Sequence, residues 1–339
     1  MRVAMLVAPR SIELREVAMP EPPPGGAVVA VRVALTDGTD LKAYRRGHPQ
    51  MPFPTPFGHE FSGEILALGA GVSEWRVGEA IACVHSAPCG ICFWCAAGEE
   101  ELCESVMDRK ILGAYADAIV VPPHILSRNA FHKPEEMTFA EAAFLEPLSC
   151  VVHSRDLLAL RRRSNVAVFG DGGFGMLHTL LFARDGHESV LVGRRPERLA
   201  LAASLGLATI DASARDVAEA LRERTGGRGA DAMVECTGTA EVWELAPSLV
   251  RRGGVVSFFG GLPADARVAF RAARLHYDEV RLISPFHFTP RAVASAFALL
   301  RERAFDCTRL ISHRYRLDRI VDAFAALDAG IGLKAAIEA

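Results

Sequence analysis

The sequence predicts an α/β protein of two domains, one of them built on a doubly wound parallel sheet. Three observations carry the prediction: the length, a glycine turn between a short apolar strand and an apolar helix, and the alternation of strands and helices that follows. A chain of 339 residues exceeds one ordinary domain of roughly 100–200 residues. Val166-Ala167-Val168-Phe169 reads as a strand, Gly170-Asp171-Gly172-Gly173-Phe174-Gly175 as a tight turn, and Met176 to Ala183 as a helix. Next come a strand at Val190-Leu191-Val192, a helix from Pro196 to Leu205 stopped by Gly206, and a helix from Ala214 to Arg224 with Ser213 as N-cap. Strands at Ala232 to Glu235 and Val255 to Phe259 complete the set. Alternation of this kind implies parallel pairing through right-handed crossovers. At the other end of the chain, Met1-Arg2-Val3-Ala4-Met5-Leu6-Val7 reads as a first β-strand, because Arg10, Glu13 and Arg15 follow too soon for a signal peptide.

Half of the residues are hydrophobic and 23% are charged, enough apolar surface to fill a core and too little net charge for a disordered chain. The formal charge of −3 advertises neither nucleic acid nor an anionic membrane as partner, which leaves small molecules. No apolar run approaches the roughly 18–20 residues of a membrane span, so a cytoplasmic protein is expected.

The cysteines are unevenly spread. Cys89, Cys92, Cys95 and Cys103 fall close together, with Pro88, Gly90 and Gly98 allowing a tight loop, whereas Cys83, Cys150, Cys236 and Cys307 are scattered in apolar sequence. Four thiolates at this spacing can surround one tetrahedral zinc and leave no open position, so the lobe is expected to be structural. An iron–sulfur cluster fits less well, because the last spacing is long and no Pro follows Cys103. The isolated cysteines read as buried small hydrophobes, and Phe286, Phe288 and Trp94 as packing.

The glycines Gly170, Gly172, Gly173 and Gly175, with Phe174 between them, would let a pyrophosphate approach the backbone at a helix N-terminus. An acid at the end of the second strand would then accept from a free ribose 2′-hydroxyl, but the chain reads Gly193-Arg194-Arg195. Two guanidinium groups suit a 2′-phosphate, so NADP(H) is expected in preference to NAD(H). Thr237 and Gly238, after the next strand, complete the candidate nucleotide contacts.

Three segments ahead of the glycine turn cluster polar groups: Thr36-Asp37-Gly38-Thr39-Asp40, Gly58-His59-Glu60 and Glu146-Pro147-Leu148-Ser149. In this order, with the cysteine lobe and the glycine turn, they resemble the zinc-dependent medium-chain dehydrogenase/reductase family over essentially the whole chain. The likeness is to its sorbitol (iditol) 2-dehydrogenase-like and threonine dehydrogenase-like branch, from Thr36 to Lys42 through His276-Tyr277-Asp278-Glu279 to Gly332-Leu333-Lys334. The resemblance implies a GroES-like β-rich catalytic domain over 1–148, with the zinc lobe at about 85–105. It further implies a Rossmann domain over 149–288, and a C-terminal segment over 289–339 that returns to the first domain. It also implies an active site in the cleft between domains and a homodimer or homotetramer. Thr289-Pro290 would open the returning helix, which is expected to run to Ala304.

In that family a catalytic zinc is held by a Cys, the His of Gly-His-Glu and a carboxylate. His59 matches, as do Glu60 and Glu146, the two carboxylates that members of the family use directly or alternately, but Asp37 stands where the Cys would be, so the expected shell is Asp37, His59 and Glu60 or Glu146. Thr39 matches the hydroxyl that relays the alcohol proton and Asp40 the carboxylate that orients the His; Lys42 is expected as a later member of the relay to solvent. Asp for Cys preserves formal charge but replaces soft sulfur by hard oxygen, so the ion is zinc or another divalent metal. The expected activity is hydride transfer between NADP(H) and a secondary alcohol or polyol and the corresponding ketone. Two other readings stay open: an NADPH-dependent reductase of alkenes, imines or carbonyls without the catalytic metal, and a non-catalytic NADPH-binding module.

Overall fold

Asn165–Phe169 forms parallel ladders with Glu188–Gly193 on one side and Ala230–Glu235 on the other. These strands are the centre of a six-stranded sheet that continues outward to Ala208–Asp211 at one edge and through Val250–Phe258 to Arg281–Ile283 at the other. Alternate residues of the central strand show why it reads as an unbroken apolar run. Ala167 and Phe169 join a cluster with Val242, Ala246 and Leu249, while Val166 and Val168, pointing to the opposite face, are equally buried. A parallel sheet covered on both faces requires this. The computed structural model describes residues 1–339, and this sheet belongs to a compact unit spanning Cys150–His287.

The other unit comprises Met1–Ser149 and Phe288–Ala339. Its seven-stranded sheet runs Ile311–Arg316, Lys334–Glu338, Ala27–Leu35, Glu60–Leu68, Ala80–Cys83 and Ala130–His132, with Ala118–Val121 also pairing to Ala27–Leu35. The first strand, Arg2–Ala8, lies in a separate three-stranded sheet. Phe57, Tyr115 and Phe324 pack ring against ring in the core, at centroid separations of 5.0–5.8 Å. The C-terminal strand is antiparallel to Ala27–Leu35, with Ala336 opposite Leu35, which brings Lys334 beside Thr36. No helix is long and apolar enough to cross a membrane.

Several element ends differ from expectation, each for a local reason. The helix expected from Ala214 begins at Val217, because Asp216 accepts the N–H of Glu219 at 2.8 Å while Ser213 is spent on Asp211. The helix opened by Thr289, which caps Ala292 as expected, ends at Arg301 rather than Ala304. Arg303 adopts a positive φ of 49° there, and the N–H of Ala304 closes back on Leu299. The last long strand starts early, at Val250. Of the isolated cysteines, Cys83 and Cys307 are buried but Cys150 and Cys236 only partly so. Phe288 is buried as expected, whereas Phe286 is 45% exposed and takes no part in the core.

At Gly175 a Cβ would fall 1.8 Å from the carbonyl oxygen of Gly170, so the helix meets the turn at a distance only glycine permits. Gly175→Ala is expected to destabilise the protein by about 3 kcal/mol or more. Denaturant unfolding checks this, with Gly172→Ala, where a Cβ meets nothing, as the mild control.

Candidate functional site

The cysteine lobe forms from very local sequence. Gly90 and Gly98 take positive φ angles of 79° and 83°, folding the loop so that the sulfurs of Cys89, Cys92, Cys95 and Cys103 all lie within 4.8 Å of one another. Cys92 and Cys95 are 3.5 Å apart and Cys89 and Cys95 3.9 Å. Zinc–sulfur bonds of about 2.3 Å in a tetrahedron give edges of about 3.8 Å, so the set fits one zinc ion. Backbone N–H groups of Cys89, Gly90, Ile91 and Cys92 donate to the sulfurs at 3.2–3.4 Å, which favours thiolates. Burial opposes ionisation of Cys103, but the N–H groups of Cys89 and Ser105 outweigh it and bring its thiol down to about 6.

A second cluster gathers in the same unit from distant segments. Asp37 is the N-cap of the helix Gly38–Arg46, its Oδ1 accepting the N–H of Asp40 at 2.6 Å. This leaves Oδ2 facing His59 Nε2 at 3.8 Å. The other ring nitrogen, Nδ1, lies 3.2 Å from Asp40 Oδ1, and Asp40 Oδ2 in turn accepts from the Tyr115 hydroxyl at 2.5 Å. Asp40 is thus fully occupied in fixing the imidazole with Nε2 toward Asp37. Glu60, at the start of the strand Glu60–Leu68, binds Lys334 Nζ through Oε2 at 2.5 Å, while Oε1 is buried without a hydrogen-bond partner. Glu146 enters from the helix Leu145–Leu158, with His85 Nδ1 3.4 Å away. His59, Glu60 and Glu146 each bring a donor atom within 4.8 Å of the others.

Four buried carboxylates therefore face one lysine and the imidazoles of His59 and His85, an excess of acidic groups that a low-dielectric site tolerates poorly. The strain is visible in the ionisation of Glu60, Asp40, Asp37 and His59. Desolvation pushes Glu60 well up from the ordinary carboxylate range in spite of Lys334, and it raises Asp40 as well. Asp37 is held low against the same burial by His59 and Lys334. Burial would keep His59 neutral, but Asp40 and Asp37 raise it well above its usual value. A divalent cation among these donors would offset the excess charge. Tetrahedral bonds of about 2.0–2.2 Å to N and O have edges of about 3.3–3.6 Å, close to the Asp37–His59 separation, so the donors fit such an ion.

Thr39 and Lys42 lie partly exposed on the helix that Asp37 caps. The backbone N–H of Thr39 supports the Asp37 carboxylate, whereas Lys42 makes no contact with the cluster's donors. Tyr115 and Lys334 were invisible as site residues in the sequence. Lys334 is separated from Glu60 by 274 positions, and no local pattern links the two.

In the parallel-sheet unit the candidate nucleotide residues gather at the carboxyl ends of the central strands. Gly170 has a φ of 120°, and Gly172 caps the 12-residue helix Gly173–Arg184 with no side chain over its amides. Phe174 packs on Phe259 at 4.9 Å, and Gly175 lies under the turn. Gly193 closes its strand, followed by the exposed side chains of Arg194 and Arg195. Glu235 Oε1 accepts the N–H groups of Thr237 and Gly238 at 2.5 and 2.9 Å, and the Thr237 hydroxyl also donates to it.

Because Lys334 also donates to the Thr36 carbonyl at 2.6 Å, removing its charge strands Glu60 in the core. Lys334→Met is expected to cost about 3 kcal/mol at pH 8. Glu60 already has a raised folded pKa, so its charged form opposes folding and stability falls as pH rises; the deficit of the variant should shrink toward pH 5. Urea unfolding across that pH range reads the effect.

Known proteins show the same arrangement of parts. Residues 23–130 match the alcohol dehydrogenase GroES-like domain and residues 173–302 the zinc-binding dehydrogenase family. A sorbitol dehydrogenase of Halalkalibacterium halodurans is 30% identical over 322 residues, covering 93% of this chain and 92% of its own. A D-altritol 5-dehydrogenase of Agrobacterium fabrum is 28% identical, with 92% and 91% covered. Among solved structures, a zinc-binding dehydrogenase from Sinorhizobium meliloti bound to NADP superposes with a TM-score of 0.91 at 30% identity, over 100% of this chain and 99% of that one. With a GroES-like unit carrying the cysteine lobe and the carboxylate–histidine cluster and a Rossmann unit carrying the glycine turn, this chain belongs to the zinc-binding medium-chain alcohol dehydrogenase family, in its sorbitol dehydrogenase-like branch.

Proposed function

We propose that the protein transfers hydride between NADP(H) and a secondary alcohol of the polyol class and the corresponding ketone, using a divalent cation held by Asp37, His59 and one carboxylate of the pair Glu60 and Glu146, with the fourth position open to substrate. The observation that carries this reading is the convergence of Asp37 Oδ2 on His59 Nε2 at 3.8 Å in a buried, over-acidic site. The aspartate takes the position of the family cysteine and still points a donor at the histidine. When bound, the cation polarises the substrate oxygen and the nicotinamide carries the hydride.

The chain's own residues do the rest. Asp40, steadied by Tyr115, keeps the His59 tautomer with Nε2 available. Lys334 holds one oxygen of Glu60 and leaves the other toward the site. Thr39, on the first turn after Asp37, is the first acceptor of the alcohol proton, and Lys42, one turn further on, passes it to solvent. The cysteine lobe holds a zinc that keeps its loop folded and takes no part in the chemistry. Arg194 and Arg195 pair with the 2′-phosphate of NADP(H). The sorbitol and altritol dehydrogenases among its relatives support a polyol substrate, and the neighbour crystallised with NADP supports the nucleotide. A homodimer or homotetramer is part of the same reading.

Elemental analysis after dialysis tests the metal site. The wild type should retain a second equivalent of divalent metal beyond that of the cysteine lobe. Asp37→Ala should lose it, and Asp37→Cys should keep it with a shift toward zinc, since thiolate is the softer donor. Metal content unchanged across all three would refute the site. For the nucleotide, the double substitution Arg194→Ala with Arg195→Ala should weaken NADPH by about tenfold or more relative to NADH, as read by binding titration.

A further inference from the structure

Gly193-Arg194-Arg195 carries no acid at the end of the second parallel strand, but the fold places one there from another part of the chain. Asp171, the residue between the first two glycines of the turn, extends its carboxylate across to the following turn. Its Oδ2 accepts the backbone N–H of Arg194 at 2.8 Å and of Arg195 at 2.9 Å. Its Oδ1 faces Arg198 Nη1 at 3.7 Å. The approach depends on Gly193, where a Cβ would fall 2.7 Å from Asp171 Oδ2. The aspartate side chain is only 12% exposed, so the surrounding backbone fixes its position.

We propose that Asp171 is the specificity-determining acid of the nucleotide site, accepting from the ribose 2′-hydroxyl and so admitting NADH alongside NADPH. Two features of the geometry support this. The amides of Arg194 and Arg195, which would otherwise be free to donate to a 2′-phosphate, are already committed to the protein's own carboxylate. A fixed negative charge also stands beside the place the phosphate would take, while Oδ1, with only a long ion pair, keeps lone pairs for a hydroxyl donor. The side chains of Arg194 and Arg195 pull the other way, toward the phosphate, and the balance of these opposed charges leaves both nucleotides bound. The inference rests on the parallel-sheet unit being the nucleotide site, and on nothing at the metal cluster.

Titration of the whole protein with NADH and with NADPH, followed by nicotinamide fluorescence or calorimetry, tests it without turnover. Asp171→Asn keeps one acceptor for the turn amides and removes the charge. Its Kd for NADH should rise and its Kd for NADPH hold or fall, changing the ratio of the two by about tenfold. Asp171→Ser, smaller but still able to accept one amide, should shift the ratio in the same direction and serves if the first variant melts early. Equal weakening of both nucleotides would overturn the proposal and leave Asp171 a mere clasp between turns, as would a selective loss of NADPH. If the wild type binds neither nucleotide, the nucleotide site itself is refuted, a result distinct from either of these.

Discussion

The buried contact between Lys334 and Glu60 joins the last strand of the chain to the segment that carries His59. Its geometry follows from backbone pairing. The antiparallel register of Lys334–Glu338 with Ala27–Leu35 sets the ammonium group against the Thr36 carbonyl and the Glu60 carboxylate together. An ion pair this deep contributes little net stability over an apolar substitute, since desolvation offsets its attraction. Its effect is positional: it commits one oxygen of Glu60 and turns the other inward. The C-terminal segment is therefore part of the site although it contributes no candidate ligand.

Asp37 illustrates how one side chain can satisfy local and long-range demands at once. A carboxylate at a helix N-cap is locally favourable, because it accepts an otherwise unpaired amide and faces the positive end of the helix dipole. A cysteine at the same place caps poorly. Aspartate here therefore strengthens the helix start while offering a harder donor than sulfur would. The consequence is a cluster with more carboxylates than basic partners, whose groups have ionisation displaced from the ordinary range.

The two units differ in how they achieve precision. In the parallel-sheet unit, close approach is obtained by omitting side chains: Gly175 lets the helix touch the turn, and Gly193 lets Asp171 reach the neighbouring loop. In the other unit, it is obtained by filling space, with Tyr115 buried in an aromatic core and its hydroxyl donating to Asp40, 3.0 Å from the Leu35 carbonyl. A rigid aromatic contact thus becomes the support for a histidine nitrogen.

The sequence alone determined those features whose cause lies within a few residues. The four thiols, the strand–glycine–helix run and the cap at Thr289 are all of this kind, because turn geometry and metal-ligand spacing act locally. It also marked Asp37, His59, Glu60 and Glu146 through a family likeness, without saying how they meet. Only the tertiary structure decided that Lys334 is the partner of Glu60 and that Tyr115 steadies Asp40. It likewise decided that an acid missing from the end of one strand is supplied by Asp171 from the next turn in space. Such pairings are set by sheet register and by the close packing that glycine permits, and residues brought together in that way leave no periodicity or spacing along the chain.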